Sequence, residues 1–368
     1  MEPTPFTYQF YRTTRTAWEA MYQALVAAKK SIYWELYIFV DDSEGARFVD
    51  ILCEKARAGV EVKLILDRMG SFSLSSLALA RLAGAGVEVR WYHHFSPSFR
   101  VGNWFNRLWH RNHRKVLIID EEIGFVGGVN ISAQFGDWYD LYLKLSGRMV
   151  RPLLRGFARS YVRTGGERRK VRHLLHPKLV LGIEEWKKNF SFIIHSPLYS
   201  RFSPVRRLFM QGLAVAKESF NLLTPYYVPD RYFLEMVSKA RARGVKVDIF
   251  LPVQPDYKIM EWIARAYYGL TYKAGAKIYL LNKMNHGKAL SIDDKAGFVG
   301  SANFTPRSFF TNEETGVYFN DENMVRDLNT ILDDWREEAE PLEVERWSKR
   351  GWGSKFKEWL GKKFEKFV

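Results

Sequence analysis

Two segments of the chain repeat one set of side chains that could carry out phosphoryl-transfer chemistry. Residues 113–130 read HRKVLIIDEEIGFVGGVN and residues 286–303 read HGKALSIDDKAGFVGSAN. Both fit the pattern His-x-Lys-x4-Asp-x6-Gly-(Gly/Ser)-x-Asn. The pattern positions are occupied by His113, Lys115, Asp120, Gly127, Gly128 and Asn130, and by His286, Lys288, Asp293, Gly300, Ser301 and Asn303. One copy alone could be a surface strand, but two copies at identical spacing indicate a duplicated functional unit.

The spacing within each copy suggests how these side chains would act. On a β-strand, residues i and i+2 share one face, so each His and its Lys are predicted to project into one space, which the Asn beyond the turn could also reach. If a pseudo-twofold arrangement joins the copies, one neutral imidazole can attack phosphorus and a protonated one can donate to the leaving alkoxide. The two lysines would offset charge on the phosphoryl oxygens. We expect neither a metal nor a cofactor.

A βαβ unit precedes each motif. Residues 28–67 contain AKKSIYWELYIFVDD and KARAGVEVKLILD, and residues 216–251 contain AKESFNLLTPYYVPD and ARARGVKVDIFL. In each case an apolar run (32–40 or 220–228) leads into an amphipathic helix and then a second apolar strand. Such a crossover implies parallel pairing. The sequence therefore predicts an α/β fold of two pseudo-symmetric lobes, each a mixed sheet flanked by helices, with the active site at the lobe interface.

Length and composition agree with this organisation. The chain has 368 residues and a formal net charge of +15. We predict a first lobe over 1–150, a basic surface connection and the start of the second lobe over 151–200, the second lobe over 201–345, and a basic, aromatic C-terminal segment over 346–368. A single cysteine, Cys53, excludes a disulfide framework. The charge predicts attraction to a polyanion, either nucleic acid or an anionic bilayer.

The paired His-x-Lys-x4-Asp motifs resemble those of the phospholipase D superfamily over nearly the whole chain. The strings RNHRKVLIID, GFVGGVNI, TPYYVPD and GSANFTPRSFFTNEE are similar to the bacterial cardiolipin synthase branch. The resemblance implies a phosphatidyltransferase that joins two phosphatidylglycerols into cardiolipin and glycerol through a phosphohistidine. A hydrolytic phospholipase D that releases phosphatidic acid, and a phospholipase D-type nuclease, are the alternatives.

The resemblance also assigns roles to individual residues. It implies that His113 is the nucleophile and His286 the general acid and then base, although swapped roles stay open. In the family, an acidic residue downstream of each His orients its ring. Asp140 lies 27 positions after His113, and Glu314 lies 28 positions after His286. The acidic residues beside them in GDWYDLYL and TNEETGVYF are less favoured for this role.

Four further side chains have two interpretations each. Asp120 and Asp293 belong to the motif and are either proton carriers or structural ion-pair partners. Strand alternation would turn them away from the pocket, which favours the structural role. Glu35 lies in an apolar strand, where a carboxylate is costly unless paired. It is either an active-site hydrogen-bonding group or the partner of a nearby Arg or Lys. Tyr226 either lines the pocket or packs in its strand.

An aromatic and basic segment precedes the first motif. Residues 95–111 read FSPSFRVGNWFNRLWHR, and Trp104, Phe105 and Trp109 are candidate substrate contacts. Such a lip suits an amphiphile with an anionic head, because Trp and Arg are favoured at the bilayer interface. It also suits single-stranded nucleic acid or a buried aromatic cluster.

The C-terminal segment favours the lipid interpretation. In SKFKEWLGKKFEKFV, Phe356, Trp359 and Phe364 fall on one helical stripe, with most lysines elsewhere, which is typical of an interfacial helix. The alternative is a terminal helix that packs on the protein. We expect phosphatidylglycerol and an anionic phospholipid surface as partners, and no nucleic acid. Without an N-terminal membrane helix, the protein is expected in the cytoplasm, peripherally attached to the inner face of the cell membrane. The oligomeric state stays open.

Overall fold

Two mixed β-sheets, each flanked by helices, form the two lobes of the molecule. The computed structural model describes residues 6–92, 110–175, 189–197 and 202–365. Within these ranges the second lobe repeats the first strand by strand, with one short strand added at its edge. The predicted fold of two α/β lobes is confirmed.

The first lobe contains seven of the described strands. They are β1 (Tyr8–Thr13), β2 (Ser31–Leu36), β3 (Glu61–Asp67), β4 (Glu88–Tyr92), β5 (Val116–Ile119), β6 (Ile123–Gly127) and β7 (Tyr139–Ser146). Their order in the sheet is β1-β7-β6-β5-β2-β3-β4. Strands β2 and β3 are parallel, as the crossover predicts, β4 is parallel to β3, and the remaining pairs are antiparallel. The helices of this lobe are α1 (Thr14–Ala27), α2 (Gly45–Arg57) and α3 (Ser76–Gly84).

The connection between the lobes is largely structured where it is described. It contains α4 (Arg151–Arg163), the short α5 (Arg172–Leu175) and β8 (Phe190–His195). Helix α4 buries Leu153, Leu154 and Phe157, and at Gly156 it approaches β8 so closely that a Cβ would lie 2.9 Å from Ile194. Strand β8 pairs with the second sheet, so residues 151–200 include both the connection and an edge strand of the second lobe.

The second lobe contains the remaining described strands. They are β9 (Ser219–Leu223), β10 (Lys246–Pro252), β11 (Lys277–Leu281), β12 (Ala289–Ile292), β13 (Ala296–Gly300), β14 (Glu314–Phe319) and β15 (Glu340–Pro341). Together with β8 they form a sheet in the order β15-β11-β10-β9-β12-β13-β14-β8. The helices are α6 (Pro204–Val215), α7 (Arg231–Ala242), α8 (Lys258–Lys273), α9 (Pro306–Phe310), α10 (Glu322–Glu338), α11 (Val344–Ser348) and α12 (Trp352–Phe364).

Strands β2 and β9 end earlier than their apolar runs. In the first lobe, the backbone beyond Leu36 leaves the sheet and bonds to the loop after β6, where Val40 N–H donates to the Ile131 carbonyl at 3.0 Å. In the second lobe, the proline of TPYY cannot donate to a ladder. Val228 N–H donates instead to the Phe304 carbonyl at 2.8 Å. In both lobes, this hydrogen bond holds the loop that carries the motif Asn against the end of the first parallel strand.

One of the three apolar clusters among the described residues extends from one lobe into the other. Val126 and Leu143 of the first lobe belong to the same buried cluster as Val299, Val317 and Phe319 of the second. Burial of apolar surface is the main favourable term in such an interface. The two sheets are therefore held together over the strands that end at the motifs.

The C-terminal helix α12 packs on the protein and leaves its aromatic stripe exposed. It packs on α8 through Glu358, whose Oε1 lies 3.6 Å from Arg265 Nε, and through Gly361, where a Cβ would lie 2.9 Å from the α8 backbone. The aromatic stripe stays outside this contact. Phe356, Trp359 and Phe364 are 47%, 56% and 45% exposed. In the part of the chain that the structure describes, no helix is both long and apolar enough to cross a bilayer.

The motif aspartates organise the starts of β2 and β9. The Asp120 carboxylate accepts hydrogen bonds from the backbone N–H groups of Lys29, Lys30 and Ser31, at 2.6 to 3.1 Å. Asp293 does the same for residues 217–219, at 2.7 to 3.1 Å. The expectation of ion pairs is wrong. Each aspartate sits in the turn after its strand with φ near 50°, facing three backbone donors rather than a charged side chain.

We predict that Asp120→Ala lowers the free energy of unfolding by about 1–3 kcal/mol, because three backbone donors lose their acceptor. Burial raises the pKa of Asp120, but the backbone donors outweigh it and hold the pKa below 3.8. The stabilisation is therefore present at neutral pH and is lost as the pH falls below about 4. Denaturant unfolding at several pH values, with Glu122→Ala as an exposed control, checks this. Equal midpoints for the two variants at pH 7 would contradict it.

Candidate active site

Two short backbone bridges join the lobes, and each lies beside a motif histidine. The His113 N–H donates to the carbonyl of Glu313 at 3.0 Å, and the His286 N–H donates to the carbonyl of Tyr139 at 2.7 Å. The His-x-Lys segments therefore precede β5 and β12. Their predicted position on those strands is wrong, because the backbone of each histidine pairs with the opposite lobe instead of with its own sheet.

The carboxylates beside the histidines are exchanged between the lobes. His113 Nδ1 lies 3.1 Å from both carboxylate oxygens of Glu314, and His286 Nδ1 lies 3.0 Å from Asp140 Oδ2. The downstream offsets had paired His113 with Asp140 and His286 with Glu314, and that pairing is wrong. Asp140 and Glu314 lie at the starts of β7 and β14, which are the ends that the backbone bridges hold against the other lobe.

The variable Gly/Ser position of the pattern accommodates these carboxylates. A Cβ at Gly128 would lie 2.1 Å from Asp140 Oδ1, so only glycine leaves room for that carboxylate. At the equivalent position, the Ser301 hydroxyl donates to Glu314 Oε2 at 2.5 Å. One motif position therefore makes space for an acid in the first lobe and donates a hydrogen bond to one in the second.

Both motif histidines are buried and held as neutral rings. They are 7% and 5% exposed for His113 and His286. Burial, with a contribution from Lys115, lowers the pKa of His113 from 6.5 to about 4, against the opposing effect of Glu314. Burial also lowers the pKa of His286. Because each Nδ1–H donates to a carboxylate, each Nε2 keeps its lone pair for other chemistry.

The two motif lysines are buried cations beside these rings. Lys115 Nζ donates to the His113 carbonyl at 2.8 Å, and Lys288 donates to the His286 carbonyl. Burial lowers the pKa of Lys288 to about 8 and lowers that of Lys115 well below its usual value, while the site carboxylates oppose both shifts. Two cations out of water are costly unless paired, so the site favours an incoming anion.

Glu35 has an arginine partner, as its second interpretation predicts. Its buried carboxylate accepts a hydrogen bond from Asn112 Nδ2 at 2.9 Å and lies 3.6 Å from Arg114 Nη1. Burial raises its pKa, and Arg114 opposes that shift. Because Asn112 and Arg114 flank His113 in the chain, Glu35 holds the segment that presents the imidazole.

A buried ion network behind His113 was not predicted. Arg114 Nη2 lies 2.7 Å from Glu313 Oε2, and Arg163 Nη1 lies 2.9 Å from Glu313 Oε1. The Ser196 hydroxyl also donates to Glu313, at 2.8 Å. Comparison of the two motifs does not reveal this network, because the residue equivalent to Arg114 in the second copy is Gly287. The Glu-Glu doublet at 313–314 was the available signal, but it does not tell which carboxylate faces the histidine.

The motif asparagines lie in the loops that flank the site. Asn130 Oδ1 accepts a hydrogen bond from the Ile38 N–H at 3.3 Å. The Asn303 N–H donates to the Ser308 hydroxyl at 3.1 Å, and its buried Oδ1 has no hydrogen-bond partner within the described residues. Both asparagines therefore help to shape the loops, and the Asn303 amide oxygen is left for another group.

The remaining predicted contacts divide into two groups. The Tyr226 hydroxyl donates to Asp256 Oδ1 at 2.6 Å. The negative charge of Asp256 raises the pKa of His286 and of Lys288, against the larger effect of burial. Tyr226 therefore lies at the edge of the site, on the side of the second motif. Trp104, Phe105 and Trp109 lie outside the described residues.

Known proteins are similar to this chain in sequence and in fold. Residues 21–138 and 209–335 match the family model described as "Cardiolipin synthase, PLD-like domain". The chain is 32% identical to the minor cardiolipin synthase ClsB of Bacillus subtilis, over 95% of this chain and 86% of that protein. It is also 32% identical to cardiolipin synthase 2 of Bacillus anthracis, over 93% of this chain and 68% of that protein.

Solved structures with the same fold are more distant in sequence. Phosphatidylserine synthase of Haemophilus influenzae superposes with a TM-score of 0.72 at 14% identity, over 98% of this chain and 93% of that one. Polyphosphate kinase of Porphyromonas gingivalis gives 0.58 at 12% identity, over 89% and 46%. These two likenesses concern the fold alone. Because the family model covers both lobes and the Bacillus relatives match over almost the full chain, this protein belongs to the cardiolipin synthase family of phospholipase D-like enzymes.

Proposed function

We propose that this enzyme is a phosphatidyltransferase that joins two phosphatidylglycerols into cardiolipin and glycerol through a phosphohistidine. The observation that carries the proposal is the crossed pair of His and carboxylate contacts at the lobe interface. It leaves two Nε2 atoms and two buried ammonium groups around one centre. The names of the Bacillus relatives support phosphatidylglycerol chemistry over hydrolysis or nucleic-acid cleavage.

In the first step, Nε2 of His113 attacks the phosphorus of one phosphatidylglycerol. A P–N bond forms, the P–O bond to glycerol breaks, and His286 donates its proton to the departing alkoxide. The free site keeps His286 neutral, but the bound phosphodiester is an anion, and a nearby negative charge raises an imidazole pKa. His286 thus takes up its proton when substrate arrives. Lys115 and Lys288 offset the charge that develops on the phosphoryl oxygens.

In the second step, the neutral His286 removes the proton from a glycerol hydroxyl of the second phosphatidylglycerol. The resulting oxygen attacks phosphorus, the P–N bond breaks, and cardiolipin leaves with His113 restored. Glu314 and Asp140 act as positioning residues, since each fixes one ring and its tautomer. Water in place of the lipid hydroxyl would give phosphatidic acid, so limited access to the buried rings favours transfer.

Membrane attachment fits the exposed stripe of α12. Phe356 and Trp359 stack at 5.8 Å between ring centroids, and Phe364 continues the stripe, while lysines flank it. Aromatic rings and lysines on one amphipathic helix favour an anionic bilayer surface. The proposed location is the inner face of the cell membrane, with Trp104, Phe105 and Trp109 as further lipid contacts. We also propose the domain boundaries predicted from the sequence, which are lobes over 1–150 and 201–345, the connection over 151–200 and the C-terminal segment over 346–368.

The proposed reaction is tested with phosphatidylglycerol vesicles and purified enzyme in the presence of a chelator. We expect cardiolipin and free glycerol in equal amounts, resolved by mass spectrometry, and no product from His113→Ala or His286→Ala. Arg231→Met, at a side chain that is 93% exposed, is the control for handling and folding. Phosphatidic acid alone would make the enzyme a hydrolase. Turnover of single-stranded DNA instead of lipid would make it a nuclease.

The proposed membrane contact is tested by replacing Phe356 and Trp359 together with serine. We expect vesicles containing phosphatidylglycerol to bind this variant at least about tenfold more weakly, because two large aromatic side chains no longer leave water. Co-sedimentation with vesicles measures the partitioning. Tyr272→Ser is the matched control, because Tyr272 is a half-exposed aromatic residue on the neighbouring helix α8. Partitioning equal to that of the control would contradict the proposal.

A further inference from the structure

A loop of the first lobe presents apolar side chains to solvent. It joins β3 to α3 and reads RMGSFSLS over residues 68–75. Met69 and Phe72 are 60% and 79% exposed, and Leu77 in the first turn of α3 is 71% exposed. Single exposed apolar residues are normal on a protein surface, but these three lie within nine residues of one another. We call residues 68–77 the β3–α3 tip.

Hydrogen bonds anchor this loop at both ends. At its start, the buried Asp67 accepts the N–H groups of Met69 and Gly70 through Oδ1, at 3.0 and 2.9 Å. At its end, the Ser75 N–H donates to Asp41 Oδ1 at 2.9 Å, and the Ser75 hydroxyl donates to the same carboxylate. Because these contacts fix the backbone, the exposed position of the apolar side chains is part of the folded structure.

The middle of the loop contacts the active site through one residue. The buried Ser71 hydroxyl donates to the Tyr37 carbonyl at 3.0 Å. At Gly70 the loop passes so close that a Cβ would lie 2.2 Å from the same carbonyl oxygen. The Tyr37 ring meets the His113 ring edge to face at 4.9 Å. Only Tyr37 therefore lies between the β3–α3 tip and the imidazole in this chain of contacts.

The charge of the β3–α3 tip suits an anionic surface. Residues 68–80 contain Arg68 and no acidic residue. The whole chain carries a formal net charge of +15. Exposed apolar side chains on a segment without acidic residues are typical of a contact with anionic lipids, because acidic side chains there would be repelled.

The second lobe also places exposed aromatic residues beside the cleft. Tyr257 is exposed, and its ring meets the ring of Tyr226, at the edge of the site, with 6.2 Å between centroids. The next residue, Lys258, begins α8 and lines one cavity with Ser354 and Lys357 of α12. The first turns of α12 therefore lie near the site end of α8. Each lobe thus carries exposed apolar side chains near the opening of the cleft.

An enzyme that joins two lipids must bring their head groups to buried imidazoles. We propose that the β3–α3 tip inserts Met69, Phe72 and Leu77 into a bilayer that contains phosphatidylglycerol, and so places the opening of the cleft on the membrane. This inference rests on the proposed function and adds a membrane contact on the lobe opposite to α12. Transfer of the three apolar side chains out of water stabilises this contact.

The single cysteine of the chain allows a site-specific probe of this contact. Cys53 is buried, and burial raises the pKa of its thiol, so a label reacts with an introduced, exposed cysteine first. Phe72→Cys and the control Val215→Cys are labelled with a thiol-reactive nitrobenzoxadiazole fluorophore. Val215 is exposed at the end of α6, before β9, so it lies at the end of that strand opposite the site.

Both labelled proteins are mixed with vesicles of phosphatidylglycerol and phosphatidylethanolamine, with and without a nitroxide quencher on the acyl chains. We expect the label at position 72 to shift its emission to the blue and to lose at least about half of its intensity to the quencher. The label at position 215 should show neither change. Equal behaviour of the two labels would overturn the inference. A blue shift that needs no vesicles and grows with protein concentration would also overturn it, and would assign the β3–α3 tip to contact between two copies of this chain.

A double substitution, Met69→Ser with Phe72→Ser, tests the same contact without a label. With α12 intact, we expect partitioning onto these vesicles to fall at least about tenfold, because two large apolar side chains no longer leave water. Val26→Ser with Val215→Ser is the matched control, since both valines are exposed at the ends of helices that precede β2 and β9. Partitioning equal to that of the control would contradict the inference. A wild type whose position 72 inserts but which forms no cardiolipin would instead refute the proposed function alone.

Discussion

The site depends on an exchange of carboxylates between the lobes. Glu314 of the second lobe holds His113, and Asp140 of the first lobe holds His286. Neither lobe alone can orient its own imidazole. The apolar cluster shared by the lobes, the two backbone bridges and the close approach at Gly128 all maintain this exchange. The two lobes must therefore be docked for either imidazole to be oriented for catalysis.

The interior of the cleft holds two buried lysine side chains beside the site acids. Lys115 and Lys288 are 0% and 1% exposed. Burying cations costs free energy, which the site acids offset in part and an anionic substrate offsets further. Burial, with a smaller contribution from these lysines, lowers the pKa of both imidazoles. A bound phosphodiester then supplies the negative charge under which one imidazole can hold a proton.

The two halves of the site are not equivalent despite the repeated motif. Behind His113, Arg114 and Glu313 form a buried ion network with α4, whereas the second copy has Gly287 in place of the arginine. Ser301 donates to the acid in one half, and Gly128 leaves space for it in the other. A rigid network on one side only is consistent with different tasks for the two histidines.

The fold was largely predictable because the sequence repeats the same pattern of strands and helices in both lobes. The apolar runs, the crossover helices and the hairpins recur, so the sequence predicts β2, β3, β5 and β6 and their counterparts β9, β10, β12 and β13, with β2 and β9 somewhat too long. Strands β4 and β11 were not predicted. The crossed pairing was not predictable, since offsets along the chain of 27 and 28 residues do not tell which lobe an acid faces. The partners of Asp120 were missed for a similar reason. Backbone donors in a turn leave no pattern of side chains to read.

The most direct test of the crossed pairing is a histidine-selective 15N NMR titration of the wild type, Asp140→Asn and Glu314→Gln. His113→Ala and His286→Ala assign the two signals. Each substitution removes the negative charge beside one ring, so the pKa of that ring should fall further. The account predicts that Glu314→Gln shifts His113 and that Asp140→Asn shifts His286. A shift of His113 by Asp140→Asn, with His286 unchanged, would contradict it.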